Sequence, residues 1–147
     1  MTKTFIIAEA GANHNRDFNQ ALKLIDVAKE SGADSVKFQT YTADKLFSTK
    51  SKTVNGFDVL DMFKDIELPR TWQYDLKQYC DEKNIEFMST PFDEEAVDEL
   101  YKLGVKRFKI AGFESTDLRF IKYVASTKLP IIISAGIGTD IDFIESI

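Results

Sequence analysis

The chain has 147 residues, of which 44% are apolar and 12 are phenylalanine, enough for one folded domain with a core and too much for intrinsic disorder. Its 24 acidic and 19 basic side chains give a formal net charge of −5 without a basic stripe, which argues against nucleic acid as a partner. The longest apolar runs, such as Pro130-Ile131-Ile132-Ile133, are too short to span a bilayer, and Met1-Thr2-Lys3 leads into a strand-like run instead of a signal peptide, so a soluble cytoplasmic protein is expected.

In chain order, Thr4 to Ala8 is a first strand candidate. A loop with Gly11, Asn13 and Asn15 follows, then a helix from Asp17 to Ser31, with Asp17 as N-cap and Phe18, Leu22, Ile25 and Ala28 on one face. Gly32 closes it. Ser35 to Thr40 reads as the second strand. The connection Tyr41 to Leu68 is too long for an ordinary crossover loop and carries the apolar cluster Phe57, Val59, Leu60, Met62 and Phe63, which suggests a short helix acting as a lid or contact surface. Arg70 to Lys83 follows with a stripe of Trp72, Leu76, Tyr79 and Cys80, so the single cysteine is expected to pack in the core. Glu86 to Ser89, Arg107 to Ile110 and Ile131 to Ser134 are strands three to five, separated by helices over Asp93 to Leu103 and around Leu118 to Ala125. The acidic residues Glu94, Glu95, Asp98 and Glu99 read as a solvated helix face.

Strict β/α alternation predicts a parallel sheet, doubly wound or closed into a barrel. The glycine fingerprint of a dinucleotide-binding turn is missing from Glu9-Ala10-Gly11-Ala12-Asn13. In a barrel the active site lies at the C-terminal ends of the strands, so polar side chains there are the signature. Glu9 is expected to end the first strand, Lys37 and Gln39 lie in the second, Ser89 and Thr90 end the third, Lys109 lies in the fourth and Ser134 ends the fifth. Alternation turns Lys37 and Gln39 one way and Val36 and Phe38 the other.

A strand lysine between large apolar residues needs an anionic partner. Lys37 and Lys109 could each pair with an internal carboxylate such as Glu9 or Glu114; together with hydroxyls on the third and fifth strands, they instead suggest a site for a dianionic ligand. Thr90, Ser134 and the turn N–H groups around Gly136 and Gly138 are donors of the type that cradle carboxylate or phosphate. His14, the only histidine, is either an organiser of its loop or a catalytic group, and no His/Cys/carboxylate spacing completes a metal site.

The segments Ile7-Ala8-Glu9-Ala10-Gly11-Ala12-Asn13-His14-Asn15, Gly32-Ala33-Asp34-Ser35-Val36-Lys37-Phe38-Gln39-Thr40, Ser89-Thr90-Pro91-Phe92-Asp93, Phe108-Lys109-Ile110-Ala111 and Ile133-Ser134-Ala135-Gly136 resemble successive motifs of the sialic acid synthase family, which includes N-acetylneuraminate, legionaminate and pseudaminate synthases. The resemblance covers essentially the whole chain. It implies a (β/α)₈ TIM barrel of which residues 1–147 form the N-terminal half, with about the first five strands and four helices. It further implies a synthase in carbohydrate biosynthesis that condenses phosphoenolpyruvate with an N-acylated amino sugar such as N-acetylmannosamine and releases phosphate. Carried over by residue, Lys109 and Ser134 would hold the phosphate, Lys37 and Thr90 the carboxylate, with Gln39 lining the pocket and Glu9 and Glu114 near the reacting centre as proton carriers or orienters. A divalent metal, manganese or magnesium, is implied with ligands outside this chain, so the isolated chain is expected to be inactive and to self-associate or pair with the missing half.

Two departures stand out. Arg16 occupies a position where the family usually has glycine, and Gly112 one where many members have serine. The pair Phe113-Glu114 looks closer to pseudaminate synthases. Other readings are a different phosphoenolpyruvate-dependent 3-deoxy sugar acid synthase, which the motif order disfavours, and a non-catalytic half-barrel that binds a small anionic metabolite or a partner.

Overall fold

Two parallel strand pairs organise the molecule, one in each of two compact units, Met1–Phe87 and Met88–Ile147. The structure, a computed structural model, describes residues 4–47, 53–54 and 57–135. The turn around Gly136 and Gly138 lies outside the described residues.

In the first unit, β1 (Ile7–Gly11) runs parallel to β2 (Ser35–Thr40) with α1 (Phe18–Glu30) between them in sequence. Asp17 caps α1 as predicted, accepting the Gln20 N–H, and Ala21, Ile25 and Ala28 form its buried face. β2 has its predicted limits, but β1 starts three residues later than the β-propensity of Thr4-Phe5-Ile6 suggests. The cause is Asp34. Its carboxylate accepts the Ile6 N–H at 2.9 Å and its own N–H reaches the Ile6 carbonyl, so the ladder begins only at Ile7 opposite Ser35. β1 also runs on through a bulge between Glu9 and Gly11, so Glu9 sits inside the strand and does not end it.

The long connection holds α2 (Ala43–Leu46), a short antiparallel hairpin of β3 (Thr53–Val54) and β4 (Phe57–Asp58), and α3 (Val59–Ile66). α3 is the short helix expected in this connection, whereas α2 and the hairpin come in addition to the elements expected. Phe63 packs edge-on against Tyr41 and Phe47. A 3-10 turn over Arg70–Trp72 then leads into α4 (Gln73–Glu82), whose Leu76 and Cys80 are fully buried. Burial pushes the Cys80 thiol up to about 12, as befits a core cysteine. The sheet takes the order β1–β2–β5, and β5 (Glu86–Pro91) enters it as the Glu86 N–H donates to the Asp34 carbonyl. Phe38 and Phe87 stack at 5.9 Å.

In the second unit, α5 (Glu94–Leu103) is capped by Asp93 and ended by Gly104 at φ +82°, a left-handed turn that glycine takes without strain. Its Glu94, Glu95 and Asp98 are exposed, and Asp98 accepts from the Tyr123 hydroxyl. β6 (Phe108–Ile110) pairs in parallel with β7 (Ile131–Ile133), and a 3-10 turn over Glu114–Thr116 precedes α6 (Leu118–Ser126), which buries Phe120, Ile121 and Val124. No helix among the described residues is long and apolar enough to cross a membrane.

Candidate functional site

Each unit carries its own group of the polar residues singled out by sequence. In the first, parallel register sets Glu9 directly opposite Lys37. The ammonium lies 2.6 Å from the Glu9 carboxylate, and the pair is lopsided: the Lys37 side chain is 10% exposed, whereas that of Glu9 is 49% exposed. The internal carboxylate envisaged as one possible partner of Lys37 is thus present.

Gly11 controls the shape of this cluster. Its φ is +53°, and a Cβ built there would stand 3.2 Å from Glu9 Oε1 and 3.9 Å from Gln39 Nε2. The missing side chain gives the carboxylate its place, and the bulge at Gly11 is a local device for re-aiming a strand residue. Sequence reading passed over this role. The signal was a glycine two residues beyond a carboxylate at the end of an apolar strand.

His14 belongs to the fold of the same loop. It is buried, its ring packs against Phe38 and edge-on to Trp72, and its Nδ1 accepts the Arg16 N–H at 3.0 Å. Burial lowers its pKa, which favours the neutral ring that this acceptor role requires. Of its two readings, loop organiser is the one this geometry supports.

In the second unit, Lys109 Nζ donates to Ser134 Oγ at 2.5 Å and to the Ile110 carbonyl at 2.6 Å. Parallel pairing of β6 with β7 brings the two side chains together, since Lys109 lies opposite Ile132 and the Ser134 N–H bonds the Ile110 carbonyl. Glu114 is half-buried in the turn after β6. Burial raises its pKa above the ordinary 4.5, against a smaller lowering by the charge of Lys109, and its Oε2 is buried without a hydrogen-bond partner. Next to it, Phe113 is 75% exposed. Where Gly112 stands, its carbonyl accepts from Ser115 Oγ at 2.7 Å. Ser89 and Thr90 are buried within β5, which continues to Pro91, so they do not end the strand as expected.

Among the described residues no group of three or more His, Cys, Asp and Glu is arranged to hold a metal ion, and His14 Nδ1 is already engaged. The sequence resemblance places the ligands of its divalent metal outside this chain.

Residues 24–147 match the NeuB family. The chain belongs to the NeuB family. An N,N'-diacetyllegionaminic acid synthase of Legionella pneumophila is 46% identical over 140 residues, covering 90% of this chain and 39% of that protein. A pseudaminic acid synthase of Campylobacter jejuni is 35% identical over 146 residues, covering 94% of this chain and 43% of that protein. Over this length the NeuB chain resembles the legionaminic acid synthase more than the pseudaminic one, whatever the pair Phe113-Glu114 suggests. A crystal structure of N-acetylneuraminic acid (sialic acid) synthetase from Leptospira borgpetersenii, in complex with citrate, superposes with a TM-score of 0.90 at 31% identity, covering 99% of this chain and 49% of that one. The NeuB chain therefore spans less than half the length of these three relatives, and its α/β fold with parallel strands matches that of the Leptospira synthetase.

Proposed function

We propose that residues 1–147 form the N-terminal part of the barrel of a nonulosonate synthase, which joins phosphoenolpyruvate to an N-acylated amino sugar. The carrying observation is family membership at 46% identity to a legionaminic acid synthase across 90% of the chain. In the reaction, C3 of phosphoenolpyruvate attacks the aldehyde carbon of the open-chain sugar and the aldehyde oxygen takes up a proton. Water adds at C2 and gives up a proton. The C2–oxygen bond to phosphate then breaks and the C2 hydroxyl passes its remaining proton to the departing phosphate, leaving a 2-keto acid and inorganic hydrogen phosphate.

The proposed roles follow the chemistry of each side chain. Lys109 and Ser134 hold the phosphate, for which an ammonium and a hydroxyl already 2.5 Å apart are suitable donors. Lys37 and Thr90 hold the carboxylate, and Gln39 lines the pocket. Glu114, whose pKa burial raises, is suited to give up a proton, and the half-exposed Glu9 is suited to orient a sugar hydroxyl or water. The divalent metal, the amino sugar and association with a second copy or a complementary half belong to the same proposal.

Titration with phosphoenolpyruvate, with and without manganese, tests this reading. Lys109→Met is expected to weaken binding about tenfold or more, the loss of one charge-assisted hydrogen bond. Lys83→Met serves as control, because Lys83 pairs with Asp26 at 2.7 Å on the surface of the α1–α4 pair. Equal affinities of the two variants would remove Lys109 from the phosphate site.

A further inference from the structure

The connection after β1 contains two consecutive non-glycine residues in the left-handed region, Asn15 at φ +49° and Arg16 at φ +55°. Asparagine tolerates that region; arginine, with an ordinary Cβ, does so at a cost. The neighbouring contacts explain what is gained. Arg16 Nη1 donates to the Lys64 carbonyl at 2.7 Å, in the last turn of α3, where carbonyls lack intrahelical partners. Arg16 Nη2 stands 3.8 Å from Glu67 Oε1, and Glu67 Oε2 accepts the Ala43 N–H at 3.0 Å, at the first residue of α2.

One side chain from the connection after β1 therefore reaches the far end of the connection after β2, and through Glu67 its near end as well. The two ends are joined independently by Phe63 against Tyr41 and Phe47 and by Lys64 with Asp44 at 2.9 Å. The Arg16 N–H bond to His14 Nδ1 ties the same residue to the buried base of its own loop.

We propose that Arg16 is a positioning residue, a latch that fixes α2 and α3 onto the loop following β1, and that the left-handed backbone at Asn15 and Arg16 is what aims its guanidinium. Both connections leave the C-terminal ends of their strands, on which Glu9, Lys37 and Gln39 are carried, so the latch sets how the rim beside these residues is arranged.

The latch gives Arg16→Gly two effects of opposite sign. Glycine relieves the left-handed backbone, while loss of the guanidinium releases α3. Hydrogen exchange on the full 147-residue chain reads the second effect and urea unfolding the first. Amides of Val59–Ile66 are expected to exchange about five- to tenfold faster in Arg16→Gly, with α1 amides unchanged and the unfolding midpoint unchanged or higher. Arg16→Lys, which retains a cation but not the fork, should show a smaller acceleration, and Glu67→Gln should accelerate α3 without touching the left-handed residues. Exchange in α3 that is the same in Arg16→Gly as in the unaltered chain would overturn the latch, as would acceleration spread evenly over α1 and α3.

Discussion

Two lysines enter strands in near-identical settings, Val36-Lys37-Phe38 and Phe108-Lys109-Ile110, and the fold treats them differently. Lys37 faces a carboxylate because parallel register places Glu9 on the adjacent residue of the neighbouring strand. Lys109 faces a hydroxyl and a main-chain carbonyl because its neighbour, β7, is wholly apolar until Ser134 follows it. The contrast teaches that a strand lysine does not announce its partner; the register of the next strand chooses it. It also separates two electrostatic conditions, a lysine paired with the carboxylate opposite it and a lysine whose charge works against the burial that raises the pKa of Glu114.

The comparison can be broken most forcefully at Glu9. Glu9→Ala leaves Lys37 buried without its carboxylate, and since Glu9 is half in solvent the cost should be about 2 kcal/mol, below that of a fully buried pair. Urea unfolding of Glu9→Ala, Lys37→Met and the double variant would read it; additive losses would mean that the pair is not coupled. A smaller effect, about 1–2 kcal/mol, is expected for Gly11→Ala, which forces a left-handed alanine and crowds Glu9 Oε1. If the crowding matters, its loss should shrink in a Glu9→Ala background.

The smallest effect sharpens the other side. Because the folded pKa of Glu114 is raised, its protonated form favours folding; that contribution is complete below the ordinary value of 4.5 and is lost as pH rises through the folded value. Glu114→Gln should therefore match the unaltered chain in stability at pH 4 and exceed it slightly at pH 7. Lys109→Met should widen the gap for a retained Glu114, since the Lys109 charge opposes the shift. Thermal unfolding across this range checks both, and a gap of the opposite sign would exclude burial as the dominant influence on Glu114.

Local chemistry made much of the fold legible. Asp17 and Asp93 announce their helices because an N-cap needs only a short acceptor and three residues of backbone, and β2 has its predicted limits, with Gly32 and Asp34 marking the turn before it. Where a distant residue decides, sequence reading fell short. The start of β1 depends on Asp34, 28 residues away from Ile6, and the β3–β4 hairpin has strands of two residues, below the length at which alternation is visible. The site residues were recognisable as polar interruptions of apolar strands, but their partners depended on register, on the bulge at Gly11 and on the unusual backbone of Arg16.

Asp34 has one more consequence. Its carboxylate and N–H grip Ile6 while its carbonyl receives Glu86, so three strands are aligned at their N-terminal ends by a single residue. Side chains alternate along a strand, and a slip of β2 by one residue would turn Lys37 and Gln39 to the opposite face and bring Phe38 in their place. Asp34 thus acts as the reading frame of the sheet: the chemistry at one end of β1 and β2 is indexed from the other, by a residue that touches none of it.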